Sequence, residues 1–212
     1  PSDEAPSDET PSDETPSDDE MPSVSEDSEV NADQPIKFKE EYLFSASLGT
    51  SIPFGTNLKN QFGSGMNFKL NVLTPFSLSL GDRNIDFSGT FHLMNMSAND
   101  GEPYSDYSVT SFGISMNTDI SILDISLGTG LSTASGDAMY FPYDEFSFTS
   151  LYLSGGVAIN LPVEKLLANT PAKDLKMSIY FDGIEIFGAP ASGSQTSDII
   201  NLGATFSYPI LF

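Results

Sequence analysis

From residue 41 onward this chain alternates apolar residues with small polar ones. Successive side chains of an extended strand point to opposite faces, so a period of two predicts a strand with one apolar and one polar face. Tyr42, Phe44, Ala46, Leu48 and Ile52 alternate with Ser45, Ser47, Gly49 and Ser51. Met66, Phe68, Leu70 and Val72 alternate with Asn67, Lys69 and Asn71, and the pattern runs on through Phe76, Leu78 and Leu80, with a bulge required at Pro75. Comparable segments follow at 85–93, 112–120, 123–131, 151–161 and 175–182, and the last covers 202–212. That makes eight strands. An even number returns both chain ends to one side, as a closed antiparallel barrel requires.

The connections predict the same arrangement. Residues 55–64, 97–108, 132–145 and 188–198 read as long polar loops rich in Gly, Ser, Asp and Asn. The turn at 81–84 and the link at Ser121-Ile122 are short, and 162–174 carries a short helix over Pro162–Asn169. Tyr104, Tyr107, Tyr140, Phe141, Tyr143, Phe146 and Phe148 cluster near the long-loop ends, where an aromatic girdle at a membrane surface is expected. Lys37, Lys39, Arg83, Lys165, Lys173 and Lys176 fall toward the short-turn side, and most loop acids fall on the other. This asymmetry also fits ordinary solvated loop charge.

Alternation alone does not say which face meets water. A soluble barrel carrier would place its apolar face inside and its polar face outside. Here the polar face is Ser, Gly, Asn and Thr, whereas a water-facing sheet carries many Lys and Glu. The chain also ends on a strand, with Leu202, Ala204, Phe206, Tyr208, Ile210 and Phe212 on one face. The expected fold is therefore all-β: an eight-stranded antiparallel transmembrane β-barrel over 41–212, preceded by a disordered acidic tail over 1–40. No stretch approaches eighteen apolar residues, but barrel strands need only about ten residues of alternating character.

Composition separates the tail from the barrel. Residues 1–35 hold thirteen of the thirty acids, no Lys or Arg, and near-repeats of Pro-Ser-Asp-Glu starting at Pro1, Pro6, Pro11 and Pro16. Such a stretch cannot bury enough apolar surface to offset its ordering entropy. It reads as a spacer or as a docking strand for a basic protein or divalent cations. The overall charge of −22 makes nucleic acid an unsuitable partner. The chain has no cysteine, which excludes a disulfide framework, a thiolate metal site and a cysteine nucleophile. It starts at Pro1, and a form processed after export is the expectation.

Candidate chemistry is sparse. By parity Lys69, Asp86, His92, Asp119, Asp124 and Asp182 face the lumen as a polar cluster. An eight-stranded barrel is just wide enough for its own side chains to fill it, and these charges would then pair with one another; an ion or proton path is the functional alternative. His92, the single histidine, admits a general-base role in a lipid-modifying barrel enzyme with a Ser nucleophile. The bland reading is a hydrogen-bonding lumen residue, because no nucleophile elbow accompanies it. Asp100-Gly101-Glu102 and Asp137 lack the spacing of a calcium loop, and the glycine-rich loops lack the strand-to-helix context of a phosphate cradle. No metal site, cofactor or catalytic residue is assigned.

Residues 41–212 resemble the small eight-stranded outer-membrane barrels of the OmpA/OmpX-like superfamily. The resemblance rests on two segments. The opening hairpin runs from Ser51-Ile52-Pro53-Phe54-Gly55 to Gly63-Ser64-Gly65-Met66-Asn67-Phe68. The C-terminal strand has Phe206, Tyr208, Ile210 and Phe212 in the positions of the family's assembly signal. The resemblance implies insertion into the bacterial outer membrane by its assembly machinery, contact with outer-membrane lipid, an N-terminus in the periplasm and a filled lumen. It implies no enzyme, and a structural, adhesive or complex-anchoring subunit of a larger envelope assembly is the expected role. OmpA-like proteins carry their periplasmic extension after the barrel, so the acidic stretch before it departs from that pattern.

Overall fold

The computed structural model describes residues 36–38, 41–139, 144–188 and 196–211. The described chain is a closed, all-antiparallel barrel of eight strands: β2 Glu41–Phe54, β3 Phe62–Leu80, β4 Arg83–Ala98, β5 Asp106–Ile120, β6 Leu123–Gly136, β7 Phe146–Leu161, β8 Lys176–Ile186 and β9 Ser197–Leu211. Each strand pairs with its sequence neighbour, and β2 closes the ring on β9 from Glu41↔Leu211 to Phe54↔Asp198. A two-residue strand, β1 Lys37–Phe38, lies in the stretch read as tail from the sequence and pairs with Ser77 and Phe76 of β3. Helix α1, Thr56–Gln61, follows β2 at the long-loop end, and helix α2, Glu164–Leu167, lies in the connection between β7 and β8. Among the described residues no helix is long and apolar enough to cross a membrane.

Local sequence explains the irregular points. Pro75 cannot donate to the ladder, and the β3–β4 register shifts there: Leu73 pairs with Ser88 and Ser77 with Asp86, leaving Thr74-Pro75-Phe76 opposite Phe87 alone. The Thr74 hydroxyl donates to the Phe87 carbonyl at 2.8 Å and holds the bulge in place. The β3–β4 hairpin closes through Gly81, whose φ of +59° suits glycine, while the β5–β6 hairpin closes through Ser121 at φ +62°.

The strands hold 11 to 19 residues, and most exceed the roughly 9–11 that a tilted strand needs to cross a bilayer. The excess lies mainly at the long-loop end, and side-chain polarity changes there. Through the middle of the barrel the outward face is apolar: Leu48, Met66, Phe112, Ile114, Leu127, Leu131 and Leu151 are each more than half exposed. A contiguous apolar wall of this kind is far larger than a water-soluble monomer tolerates. Nearer the long loops the outward positions become Asn95, Ser108, Thr110, Thr133, Ser135, Ser147 and Thr149, while the inward ones become Met94, Met96, Tyr107, Val109, Ala134, Phe146 and Phe148. The barrel is apolar outside over a membrane-spanning belt and apolar inside over a collar above it.

Two expectations are corrected by this inversion. The predicted loops at 97–108 and 132–145 are shorter, because the collar strands extend into them as far as Ala98, Asp106 and Gly136. Tyr107, Phe146 and Phe148 do not form a membrane girdle. They point into the barrel, where burying a ring against other rings removes more apolar area from water than an interfacial position would. Tyr104 packs against the same cluster, and Tyr140, Phe141 and Tyr143 lie outside the described residues.

Candidate functional site

The lumen is layered. At the long-loop end Phe62, Tyr104, Tyr107, Phe146 and Phe148 stack into one aromatic column. Its ring centroids are 5.1 Å apart for Phe62–Tyr107, 4.9 Å for Tyr104–Phe146, 5.9 Å for Tyr107–Phe146 and 6.4 Å for Phe146–Phe148. Leu58 is delivered from α1 into this layer, which also contains Met94, Met96, Ile184, Ile186 and Ile199, all buried. Tyr107 is fully buried and donates its hydroxyl to Ser197 at 3.0 Å, so its one polar atom is satisfied inside an apolar plug.

Below the plug lies a hydrogen-bonded centre. Lys69 on β3 reaches through the lumen, past β2 and β9, to form a 3.0 Å ion pair with Asp182 on β8. The other Asp182 oxygen accepts from Asn201 Nδ2 at 2.7 Å, and Asn201 Oδ1 accepts from Ser51 at 2.6 Å and from Asn67 Nδ2 at 3.4 Å. Tyr180 donates to Asn67 Oδ1. The backbone makes this last contact possible. Tyr180, Gly203, Gly49 and Asn67 form one lateral row across β8, β9, β2 and β3, and the Tyr180 ring lies flat along the wall over the two glycines. A Cβ at Gly203 would sit 2.2 Å from the Leu48 carbonyl oxygen and 2.8 Å from the Tyr180 ring. No side chain fits there.

The short-turn half of the lumen is an open polar cavity of about 550 Å³. Its walls carry cross-strand hydroxyl pairs, including Ser45 with Ser207 at 2.7 Å, Ser47 with Thr205 at 2.8 Å and Ser88 with Ser115 at 2.6 Å. Each pair satisfies two hydroxyls without introducing charge. Asp119 and Asp124 face each other as register partners near the mouth, and Asn160 Nδ2 donates to Asp124 at 2.8 Å.

The six lumen residues singled out from the sequence all line this interior, but they do not form one cluster. Lys69 and Asp182 pair at the centre, with His92 beside Lys69 in register; Asp86, Asp119 and Asp124 lie lower, around the cavity. Lys69–Asp182 is the ion pair found among the described residues. Ser51, Asn67, Tyr180 and Asn201 complete the centre. Charge alone does not select them, although their parity places them on the polar face.

His92 is 2% exposed, and its Nε2 has no hydrogen-bond partner among the described residues. Its register partner Ser111 bonds to Ser132 at 2.9 Å instead. Among the described residues, the centre therefore shows no histidine–hydroxyl pair of the kind that activates a serine. No group of three or more His, Asp or Glu side chains among the described residues is arranged to hold a metal ion. Of the C-terminal strand residues, Phe206, Tyr208 and Ile210 face outward and are exposed, while Phe212 lies outside the described residues.

A closed eight-stranded antiparallel barrel with an apolar exterior belt and a polar lumen is a small transmembrane β-barrel of the outer-membrane type. No protein-family model matches the chain, and no curated protein matches it. Among solved structures it is similar to Neisserial surface protein A, at 14% identity over 80% of this chain and 97% of that one, with a TM-score of 0.44. It is similar also to Ail, the attachment invasion locus protein of Yersinia pestis, at 16% identity over 80% and 99% with a TM-score of 0.43. The outer membrane enzyme PagL aligns at 11% identity over 79% and 99% with a TM-score of 0.44. The assignment of class rests on the barrel's own geometry and not on these likenesses.

Proposed function

We propose that this protein is a non-enzymatic barrel of the bacterial outer membrane that works as a structural, adhesive or complex-anchoring subunit. The observation that carries the reading is the polarity inversion: the strands continue past the apolar belt as a rigid, outward-polar collar braced from within by the aromatic column. A collar of this kind holds a binding face at fixed height above the lipid without spending loop entropy. The burial of His92, with its Nε2 unpartnered among the described residues, favours a non-enzymatic role over lipid modification. Both described chain ends lie at the short-turn side, which in this reading faces the periplasm. Phe206, Tyr208, Ile210 and Phe212 serve as the signal to the assembly machinery. Residues 1–35 then offer a basic envelope protein or divalent cations a highly acidic docking strand.

The test compares cells carrying wild-type protein with cells carrying Thr110→Lys/Thr133→Lys on the collar or His92→Asn in the lumen. The collar variant is expected to lose surface adhesion, or recovery in its envelope complex, at normal outer-membrane levels. The His92→Asn variant is expected to leave the outer-membrane lipid profile unchanged. A lipid profile altered by His92→Asn, with the collar variant indistinguishable from wild type, overturns the reading.

A further inference from the structure

The lipid-facing wall carries a built depression. Gly155 on β7 and Gly183 on β8 are register partners facing outward, and they form the floor of a groove of about 330 Å³. Packing does not demand glycine at either position. A Cβ at Gly183 would come no nearer than 4.0 Å to the Gly155 carbonyl, and one at Gly155 would make ordinary contacts with the flexible end of Leu127 at 3.4 Å and the Ser126 carbonyl at 4.0 Å. The inward glycines differ: at Gly49, Gly113, Gly130 and Gly203 a Cβ would lie within 2.3 Å of a backbone oxygen. Glycine weakens a strand relative to alanine, so two adjacent outward glycines with free space above them keep a hollow open at a cost to the sheet.

The groove has a charged upper edge. Glu185 and Asp198 are direct register partners across β8 and β9, both outward and one row above the glycines. Like charges placed directly opposite destabilise a sheet. Neither carboxylate has an ion pair or a side-chain hydrogen bond among the described residues. Leu127, Leu153, Ile200 and Phe54 complete an otherwise apolar lining. The site therefore presents a hydrocarbon-sized slot within the belt and two uncompensated negative charges toward its water edge.

We propose that this groove binds a single-chain amphiphile with a cationic amine headgroup, its hydrocarbon in the Gly155–Gly183 slot and its amine between Glu185 and Asp198. The chain replaces mobile annular lipid against a preformed apolar surface. The amine relieves the carboxylate repulsion where the low-dielectric lipid wall strengthens the attraction. The site lies on the outside of the barrel and shares no lining residue with the polar lumen cavity.

The test uses the whole protein in phosphatidylcholine bilayers with two nitroxide-labelled probes, octadecylamine and stearic acid, read by electron paramagnetic resonance. Wild type is expected to show a motionally restricted amine component with an association about fivefold or more above that of the acid, the size of one ion pair near water. Glu185→Gln/Asp198→Asn should bring the two probes to parity. Gly183→Leu, or Gly155→Leu as a second filling variant, should reduce restriction of both probes to that of general annular lipid. Gel mobility before and after boiling reports folding of each variant separately, so a misfolded barrel is not read as a filled groove. Equal restriction of amine and acid in wild type overturns the proposal. So does a folded Gly183→Leu that binds like wild type. Efficient self-cross-linking of Leu153→Cys that Gly183→Leu abolishes would overturn it too, by showing a second copy of the chain in the groove.

Discussion

Lys69 and Asp182 are held by different strands, and each compensates the other's charge inside the lumen. Replacing a buried ion pair with neutral groups of similar shape is often tolerated, whereas removing one partner strands a charge in a narrow lumen and costs about 3–5 kcal/mol. Asp182→Asn keeps an acceptor for Asn201 but leaves the Lys69 ammonium uncompensated. It should destabilise the barrel by about 3–5 kcal/mol, measured as the shift in urea-dependent unfolding in lipid vesicles. The double variant Lys69→Met/Asp182→Asn should be more stable than Asp182→Asn alone. A double variant at least as unstable as the single would show that the ion pair is not the organising contact. Asn67, Asn201 and Tyr180 matter at this scale for a reason that composition hides: the row geometry, with two glycines under one ring, brings uncharged groups together across four strands.

At the scale of the strands, the aromatic column converts the extra length of β4 to β7 into a rigid collar. Phe62 is 1% exposed and contacts both Tyr104 and Tyr107, so Phe62→Ala should open a cavity inside the column and cost about 3–5 kcal/mol. The loss should appear as faster amide exchange confined to the collar strands, with the belt unchanged; uniform exchange along each strand would mean that collar and belt do not form separable layers. The belt portions of all eight strands are legible in the sequence, because an apolar outward face against Ser, Gly and Thr gives clean alternation. The bulge at Pro75 and the short helix after β7 are legible for equally local reasons. The collar is not legible. Between Leu93 and Met94, the apolar positions switch from the outward to the inward parity. Around 132–136 the residues on both faces are so small that no contrast in hydropathy remains. A phase change of this kind reads as the end of a strand. For the same reason Tyr107, Phe146 and Phe148 read as a girdle, since their ring size is visible in sequence while their direction is not.

For the whole molecule, the inversion divides the barrel into a part solvated by lipid and a part solvated by water. The outward face of β9 supplies Phe206, Tyr208 and Ile210 to the belt, next to the seam with β2 that closes the ring. In the assembly reading proposed above, deleting Phe212 should lower the outer-membrane level severalfold and raise a periplasmic pool, with synthesis unchanged. Equal outer-membrane levels and no periplasmic pool would remove that role. The natural absence of cysteine permits the most direct test of the two-layer account. Single cysteines are introduced at outward belt positions by Phe112→Cys, Leu131→Cys and Leu151→Cys. Outward collar positions receive Ser108→Cys, Ser135→Cys and Ser147→Cys, and Met96→Cys marks the plug. Each folded variant in a phospholipid bilayer is then exposed to a membrane-impermeant maleimide. Labelling is expected at 108, 135 and 147, and protection at 112, 131, 151 and 96. Labelling at 112, 131 and 151, or protection at 108, 135 and 147, would contradict the division into two layers.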